Sequence, residues 1–140
     1  MAATALRADF YSLREIHSMK MHQALGLGKN LFTGYGEGHV LINAQRHDGN
    51  LIVTPDSVQP WGVADFASLT EQHFSMLLEM QPEVVLFGSG ASLRFFHPKL
   101  MAALTNAGIG VDVMDTQAAC RTFNILMAED RRVIAAILAI

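Results

Sequence analysis

Cysteine is almost absent from this 140-residue chain, which has only one, Cys120. A single cysteine cannot form an intrachain disulfide and leaves no cysteine cluster for zinc. Charged residues are also scarce, at 16% against a typical quarter or so, whereas apolar residues reach 51%. This composition excludes intrinsic disorder, because disordered chains combine low hydrophobicity with high charge.

The chain lacks a positive excess and lacks a long apolar run. Its formal charge is −3, so it has no surplus of cations with which to displace the counterions of nucleic acid. Its longest clean apolar run, Val133–Ile140, is far shorter than the roughly 20 residues that a bilayer-spanning helix needs. We therefore expect a cytoplasmic protein without membrane insertion or nucleic-acid binding.

The length is that of one domain, preceded by a short arm. Residues 1–18 are weakly amphipathic, and Asp9 interrupts them before any apolar signal core develops. We predict an N-terminal arm over 1–18 and a single α/β domain over 19–140. A short docking helix that uses Phe10, Leu13 and His17 is the alternative for the arm.

The first half of the domain has strand and turn patterns. Asn43-Ala44 and Asp48-Gly49 are turn candidates, and the second is a strong hairpin dipeptide. Ser68 and Glu71 have the spacing of a helix capping box, and Pro82 ends the helix that follows.

The second half reads as β-α-β-α-β. The predicted strands are Val84–Phe87, Ile109–Met114 and Val133–Ile140, the last with a helix as the alternative. The predicted helices begin at Pro98 and at Asp115 or Thr116, and the second runs to about Glu129. The fold class is therefore α/β: a single compact domain with a mixed sheet, an antiparallel N-terminal part and flanking helices.

Two loops follow strands and precede helices, so both should lie at the carboxyl edge of the sheet, where open α/β folds bind ligands. The candidate ligand-binding residues are Gly88, Ser89, Gly90, Asp115, Thr116 and Arg121. The glycines begin like a dinucleotide fingerprint, but Leu93 occupies the place of the third glycine, so we predict no cofactor. A tight turn without a ligand is the alternative.

Cys120 is the candidate nucleophile. It lies in the first turns of the last helix beside Arg121, and both features favour a thiolate. His97 is a conceivable base. The alternative is a small buried cysteine that packs against the sheet.

Two other features have two interpretations each. Tyr35, Glu37 and His39 would form a titratable row if Gly34–His39 were extended, whereas a bent strand would break that row. Trp61 is either a packing anchor or an exposed interface residue. We predict no metal site, because His17 and His22 are five residues apart and do not share a helix face.

The stretch from Met114 to Leu126 (Met-Asp-Thr-Gln-Ala-Ala-Cys-Arg-Thr-Phe-Asn-Ile-Leu) resembles the signature of an uncharacterised Mth-type domain family. That family includes the mitochondrial respiratory complex I assembly factor 3 and the adipogenesis-associated Mth-type domain protein. Weaker matches occur earlier in the chain, in the order expected for the family: Gly34-Tyr35-Gly36, Thr54-Pro55, Pro60-Trp61 and Gly88-Ser89-Gly90. The resemblance therefore covers roughly residues 19–140. Ala44 departs from the pattern, since glycine often occupies that turn.

The resemblance implies a mixed sheet flanked by helices, no established reaction, and a role through protein contacts. Our leading hypothesis is a non-catalytic interaction or assembly factor that displays an exposed apolar patch and binds protein partners. The alternative is a small-molecule- or anion-binding domain or enzyme, with a cleft around Gly88–Gly90, Asp115 and Cys120. The apolar content is compatible with a homo-oligomer, although a sheet covered on both faces explains it equally well.

Overall fold

The computed structural model describes residues 28–140, so the predicted arm over 1–18 lies outside the described residues. The first three strands form an antiparallel meander of their own, with β1 Phe32–Gly36, β2 His39–Ile42 and β3 Gln45–Asp48. Asn43 and Ala44 connect β2 to β3 with φ values of 51° and 65°. These angles match the turn that best fits a two-residue hairpin, as predicted.

The larger sheet has five strands in the order β5-β4-β8-β6-β7. Its strands are β4 Leu51–Val53, β5 Val58–Pro60, β6 Val84–Gly88, β7 Gly110–Met114 and β8 Val133–Ile137. The β6, β7 and β8 strands are parallel to one another, whereas β4 is antiparallel to β8 and β5 to β4. The predicted mixed α/β fold is confirmed.

Within residues 28–140, three α-helices flank this sheet: α1 Glu71–Ser75, α2 Ala102–Asn106 and α3 Thr116–Ala128. The α1 helix continues as a 3-10 helix over Met76–Met80, and a 3-10 turn over Pro98–Met101 precedes α2. The α3 helix begins as predicted, because the Asp115 side chain accepts a hydrogen bond of 2.8 Å from the backbone N–H of Ala118.

Side-chain alternation along the strands divides the core into two clusters on opposite faces of the five-stranded sheet. Leu86 belongs to the cluster under α3, together with residues of the meander, whereas Val85 and Phe87 belong to the cluster under α1 and α2. All three side chains are fully buried. The apolar excess of the sequence therefore fills a sheet that is covered on both faces.

Three local predictions were wrong. Ser68 does not cap α1, because it closes a 3-10 turn over Phe66–Ser68 in which it donates two hydrogen bonds to the Asp65 carboxylate. Thr70 caps α1 instead, and its backbone N–H donates to His73 Nδ1 at 2.9 Å. Asp48-Gly49 turns the chain from one sheet to the other and closes no hairpin. The predicted strand Val133–Ile140 stops at Ile137.

Candidate functional site

The two loops predicted to carry a site do lie side by side at the carboxyl edge of the larger sheet. The Ser89 N–H donates to the carbonyl of Met114 at 2.8 Å. Gly90 and Thr116 are joined twice, since the Thr116 N–H donates to the Gly90 carbonyl and the Gly90 N–H donates to Thr116 Oγ1, both at 2.9 Å. Topology therefore brings these residues together as expected.

Both glycines of the first loop are required by packing and backbone angle. A side chain at Gly88 would place Cβ 2.8 Å from Ile137 Cγ2 and from Thr116 Oγ1. Gly90 has φ +100°, a conformation that residues with a side chain rarely adopt. These glycines allow β6, α3 and β8 to approach closely, which favours the tight-turn interpretation.

The polar groups of this edge are already used inside the protein. Thr116 is fully buried, and its hydroxyl also donates to the Leu138 carbonyl at 2.7 Å. The Ser89 hydroxyl donates to the Ser92 carbonyl at 2.8 Å and accepts from the Arg94 N–H at 3.0 Å. A ligand at these positions would have to displace internal hydrogen bonds, which would leave buried groups unpaired.

Cys120 lies in the apolar cluster beneath α3 and is 1% exposed. Burial raises the pKa of its thiol to about 12, and the adjacent Arg121 only partly opposes that effect. His97 lies between Phe96 and Leu100, which pack into the cluster on the opposite face of the sheet. The geometry therefore gives Cys120 neither an ionised sulfur nor a nearby histidine base, and it favours the buried-cysteine interpretation.

The predicted residues do not share one cleft. Ser89 and Gly90 line a hollow of about 340 Å³ beside the end of β8. Cys120 and Arg121 line a separate hollow of about 160 Å³ beneath β1. The two hollows lie at different elements, so the expected constellation of Gly88–Gly90, Asp115 and Cys120 is not assembled.

A loop that the sequence did not single out is the most exposed apolar feature of the same edge. Residues 91–95, hereafter the 91–95 loop, contain Leu93 and Phe95, which are 51% and 71% exposed. Arg94 lies between them and places its guanidinium 4.1 Å from the centre of the Phe66 ring. The sequence did contain a signal for this loop. Leu93–Phe96 is an apolar-rich run, and the segment between Gly90 and Pro98 has neither the alternation of a strand nor the periodicity of a helix.

Two further alternatives are decided by the structure. Strand β1 ends at Gly36, and Glu37-Gly38 forms the turn to β2, so Tyr35, Glu37 and His39 do not form one row. Trp61 is 3% exposed, and its Nε1 donates to the His73 carbonyl at 3.1 Å. Trp61 is therefore a packing anchor and belongs to no exposed patch.

Asn124 has a role that sequence reasoning missed. Its side-chain amide donates to the Phe32 carbonyl and its oxygen accepts from the Phe32 N–H, both at 2.8 Å. The side chain thus pairs with β1 as another strand would. Cys120 lies one helical turn earlier and lines the same hollow beside β1, so the cysteine-centred motif joins α3 to the meander.

Residues 32–138 match the family described as protein of unknown function (DUF498/DUF598). The chain belongs to the DUF498/DUF598 family. Among its relatives is the Homo sapiens protein named NADH dehydrogenase (ubiquinone) 1 alpha subcomplex assembly factor 3, which is 36% identical over 99 residues. That alignment covers 69% of this chain and 54% of the human protein, so the chain spans about half the length of this curated relative.

Solved structures of similar proteins have the same fold. A crystal structure of a Bordetella parapertussis protein superposes with a TM-score of 0.75 at 38% identity, covering 80% of this chain and 97% of that one. A Bordetella pertussis protein described as a Mth938-like domain gives 0.68 at 34% identity, covering 79% and 85% of the two chains. The resemblance inferred from the cysteine-centred motif is confirmed.

Two findings apply to residues 28–140. None of the helices there has the length and apolar character needed to span a membrane. That same part of the chain brings together no group of three or more His, Cys, Asp or Glu side chains that could hold a metal ion.

Proposed function

We propose that this chain is a non-catalytic protein-binding domain that contacts an assembly partner through the 91–95 loop. The observation that carries the proposal is the exposure of Phe95, at 71%, beside Leu93, at 51%. Large apolar side chains that are exposed near one another are typical of interaction surfaces. Aromatic side chains that a partner buries contribute much of the binding energy of an interface.

The base of the 91–95 loop is well ordered by contacts within the protein. The Ser89 hydroxyl bonds to backbone groups of Ser92 and Arg94, which closes the start of the loop. Phe96, directly after the loop, packs against Phe74 and Phe87, with ring centres 4.8 Å and 5.0 Å apart. A loop held at both ends loses less conformational entropy on binding than a free one, so its apolar side chains can contribute more to affinity.

The relatives suggest which partner to test first. Curated relatives are named as assembly factors of the NADH dehydrogenase alpha subcomplex, and this chain spans about half of their length. We expect the chain to contact subunits of its host's NADH dehydrogenase while that complex is built. A cytoplasmic location belongs to the same proposal and would be tested by cell fractionation.

The test compares two double variants by affinity capture from the native host. Leu93→Ser with Phe95→Ser removes the proposed contact, and Tyr35→Ser with Ile125→Ser removes two other exposed apolar side chains as a matched control. We expect the wild-type chain and the control to recover NADH dehydrogenase subunits, and the loop variant to recover at least about tenfold less. Quantitative mass spectrometry after cross-linking measures the recovery.

The stability of both double variants should stay within about 1 kcal/mol of wild type, because each of the two replaced side chains is exposed. Equal recovery by the loop variant and the control would overturn the role of the 91–95 loop. Failure of the wild-type chain to enrich any subunit over the tag alone would overturn the choice of partner.

A further inference from the structure

A second cleft lies at the opposite edge of the five-stranded sheet, where β6 and β8 begin. Its volume is about 450 Å³, within the range of roughly 300–1,000 Å³ that small-molecule sites occupy. Six apolar residues line it: Pro55, Met80, Pro82, Met127, Val133 and Ile134. Four of these are buried, so the floor of the cleft is apolar and belongs to the core.

Three cations line the rim, Lys29, Arg131 and Arg132, and two of them form side-chain ion pairs within the described residues. Lys29 pairs with Asp56 at 2.9 Å, and Arg131 pairs with Glu83 at 3.4 Å. Arg132 instead donates from Nε to the carbonyl of Gln81 at 3.0 Å. Glu83 accepts from its backbone N–H at 2.8 Å, but no carboxylate of residues 28–140 lies within ion-pair distance of its guanidinium. Arg132 is therefore the cation of this rim that is best placed to receive an anion.

The geometry of Arg132 suits a planar anionic group. Its hydrogen bond to Gln81 uses Nε, which leaves the two terminal Nη groups without a protein partner among the described residues. A guanidinium with free Nη groups can bind both oxygens of one carboxylate. The Gln81 contact holds the base of the guanidinium, so less side-chain entropy is lost when an anion binds.

The rim also limits the charge of the ligand. Asp56 and Asp130 line the same cleft, and both would repel a molecule with several negative charges. A single carboxylate at Arg132, attached to an apolar body along the floor, satisfies both features. This combination excludes a nucleoside triphosphate and favours a small amphipathic acid.

We propose that this cleft is a binding site for a small monocarboxylate with an apolar chain, with Arg132 receiving the carboxylate. The proposal is independent of the 91–95 loop, which lies beside the ends of β6 and β8. Apolar contact with the half-buried Pro55 and Met80 contributes affinity, and Arg132 supplies the preference for a charged head group.

The experiment is a titration of the ¹⁵N-labelled full chain followed by amide chemical shifts. Decanoate, below its micelle concentration, is the probe; 1-decanol supplies the same chain without the charge, and acetate the charge without the chain. We expect decanoate to give saturable shifts at Asp130–Ile134, with an affinity at least about tenfold above that of decanol or acetate.

Variants test the assigned residue. Arg132→Gln should weaken decanoate binding at least about tenfold, and Arg132→Lys should restore only part of it, because an ammonium lacks the bidentate geometry. Arg46→Gln is the matched control, since Arg46 is an exposed arginine on β3, in the other sheet. Its decanoate affinity should equal that of wild type.

Three results would overturn the proposal: no saturable shift at Asp130–Ile134, equal affinities for decanoate and decanol, or unchanged affinity in a folded Arg132→Gln. The comparison of decanoate with decanol uses the wild-type chain alone, so it decides the question even if a variant fails to fold. The protein-partner proposal is unaffected by any of these results.

Discussion

The hydroxyl of Thr116 makes two hydrogen bonds at a fully buried position, one to the Gly90 N–H and one to the Leu138 carbonyl. These two partners follow different strands, β6 and β8, so a single side chain joins the exits of both strands to the start of α3. Thr116 thus stabilises the edge that the sequence predicted as a ligand site.

Replacing Thr116 by valine keeps its shape and removes both hydrogen bonds. We expect Thr116→Val to lower the free energy of unfolding by about 2–4 kcal/mol, because two buried backbone groups lose their partner. Thr116→Ser keeps the hydroxyl and should cost only about 1 kcal/mol for the lost methyl group. Urea denaturation measures both, and equal losses in the two variants would contradict this role for the hydroxyl.

The interpretation of Cys120 changes once its surroundings are known. A cysteine near a helix N-terminus beside an arginine has the sequence features of an activated thiol. In the structure, burial outweighs both influences and raises the pKa of the thiol to about 12. Desolvation decides the result because the thiolate loses more solvation energy on burial than the exposed Arg121 can return by attraction.

At the scale of elements, α3 connects the two sheets. One of its faces packs on β6 and β8, and Asn124 on the same helix makes two hydrogen bonds to Phe32 in β1. The meander would otherwise be held mainly by apolar contacts of side chains such as Phe32 and Val40. The Asn124 contact therefore fixes the position of β1 along α3.

Asn124→Leu removes both of these hydrogen bonds. We expect a loss of about 1–3 kcal/mol in the free energy of unfolding and faster hydrogen exchange at the Phe32 amide. In Asn124→Asp the ionised carboxylate still accepts from the Phe32 N–H but repels the Phe32 carbonyl. Its stability relative to wild type should improve as the pH falls and the carboxyl group becomes a donor.

Exchange at Ser89, which bonds to Met114 across the other end of the fold, provides the control for Asn124. If exchange at Phe32 and Ser89 accelerated equally, the effect would be global and Asn124 would not be specific to β1.

At the scale of the whole molecule, the five-stranded sheet separates two apolar clusters that share every central strand. Val133, Ala135 and Ile137 face one cluster, whereas Ile134 and Ala136 face the other. Loss of β8 would expose both clusters at once. The described part of the chain should therefore unfold as one cooperative unit, although the single-domain boundary at residue 19 stays a prediction.

The chain carries one natural probe on each face, since Trp61 is its only tryptophan and Cys120 its only cysteine. Trp61 lies in the cluster under α1 and α2, and Cys120 lies in the cluster under α3. We expect urea transitions followed by Trp61 fluorescence and by Cys120 alkylation to have the same midpoint. Separate midpoints would show that the two faces unfold independently.

The sequence by itself determined the three parallel strands of the second half, the order of the elements there and the family. Val84–Gly88 and Gly110–Met114 were within one residue of their predicted bounds, because buried parallel strands are continuous apolar runs between turn residues. Asp115 was found because a helix cap is a local interaction with its own residue preference. The cysteine-centred motif identified the family. It combines in one helix a residue that packs in the core, Cys120, and a residue that hydrogen-bonds to β1, Asn124.

The tertiary structure alone decided which of the predicted residues are free to act. Gly90 and Thr116 came together as topology requires, yet their polar groups bond to each other and to Leu138, a residue distant in sequence. Arg132 has no catalytic motif around it, and it became a candidate only where β8, α3 and the segment before β6 form a cleft. Local patterns record helices, strands and caps, whereas solvation and hydrogen-bond partners depend on residues that only folding brings together.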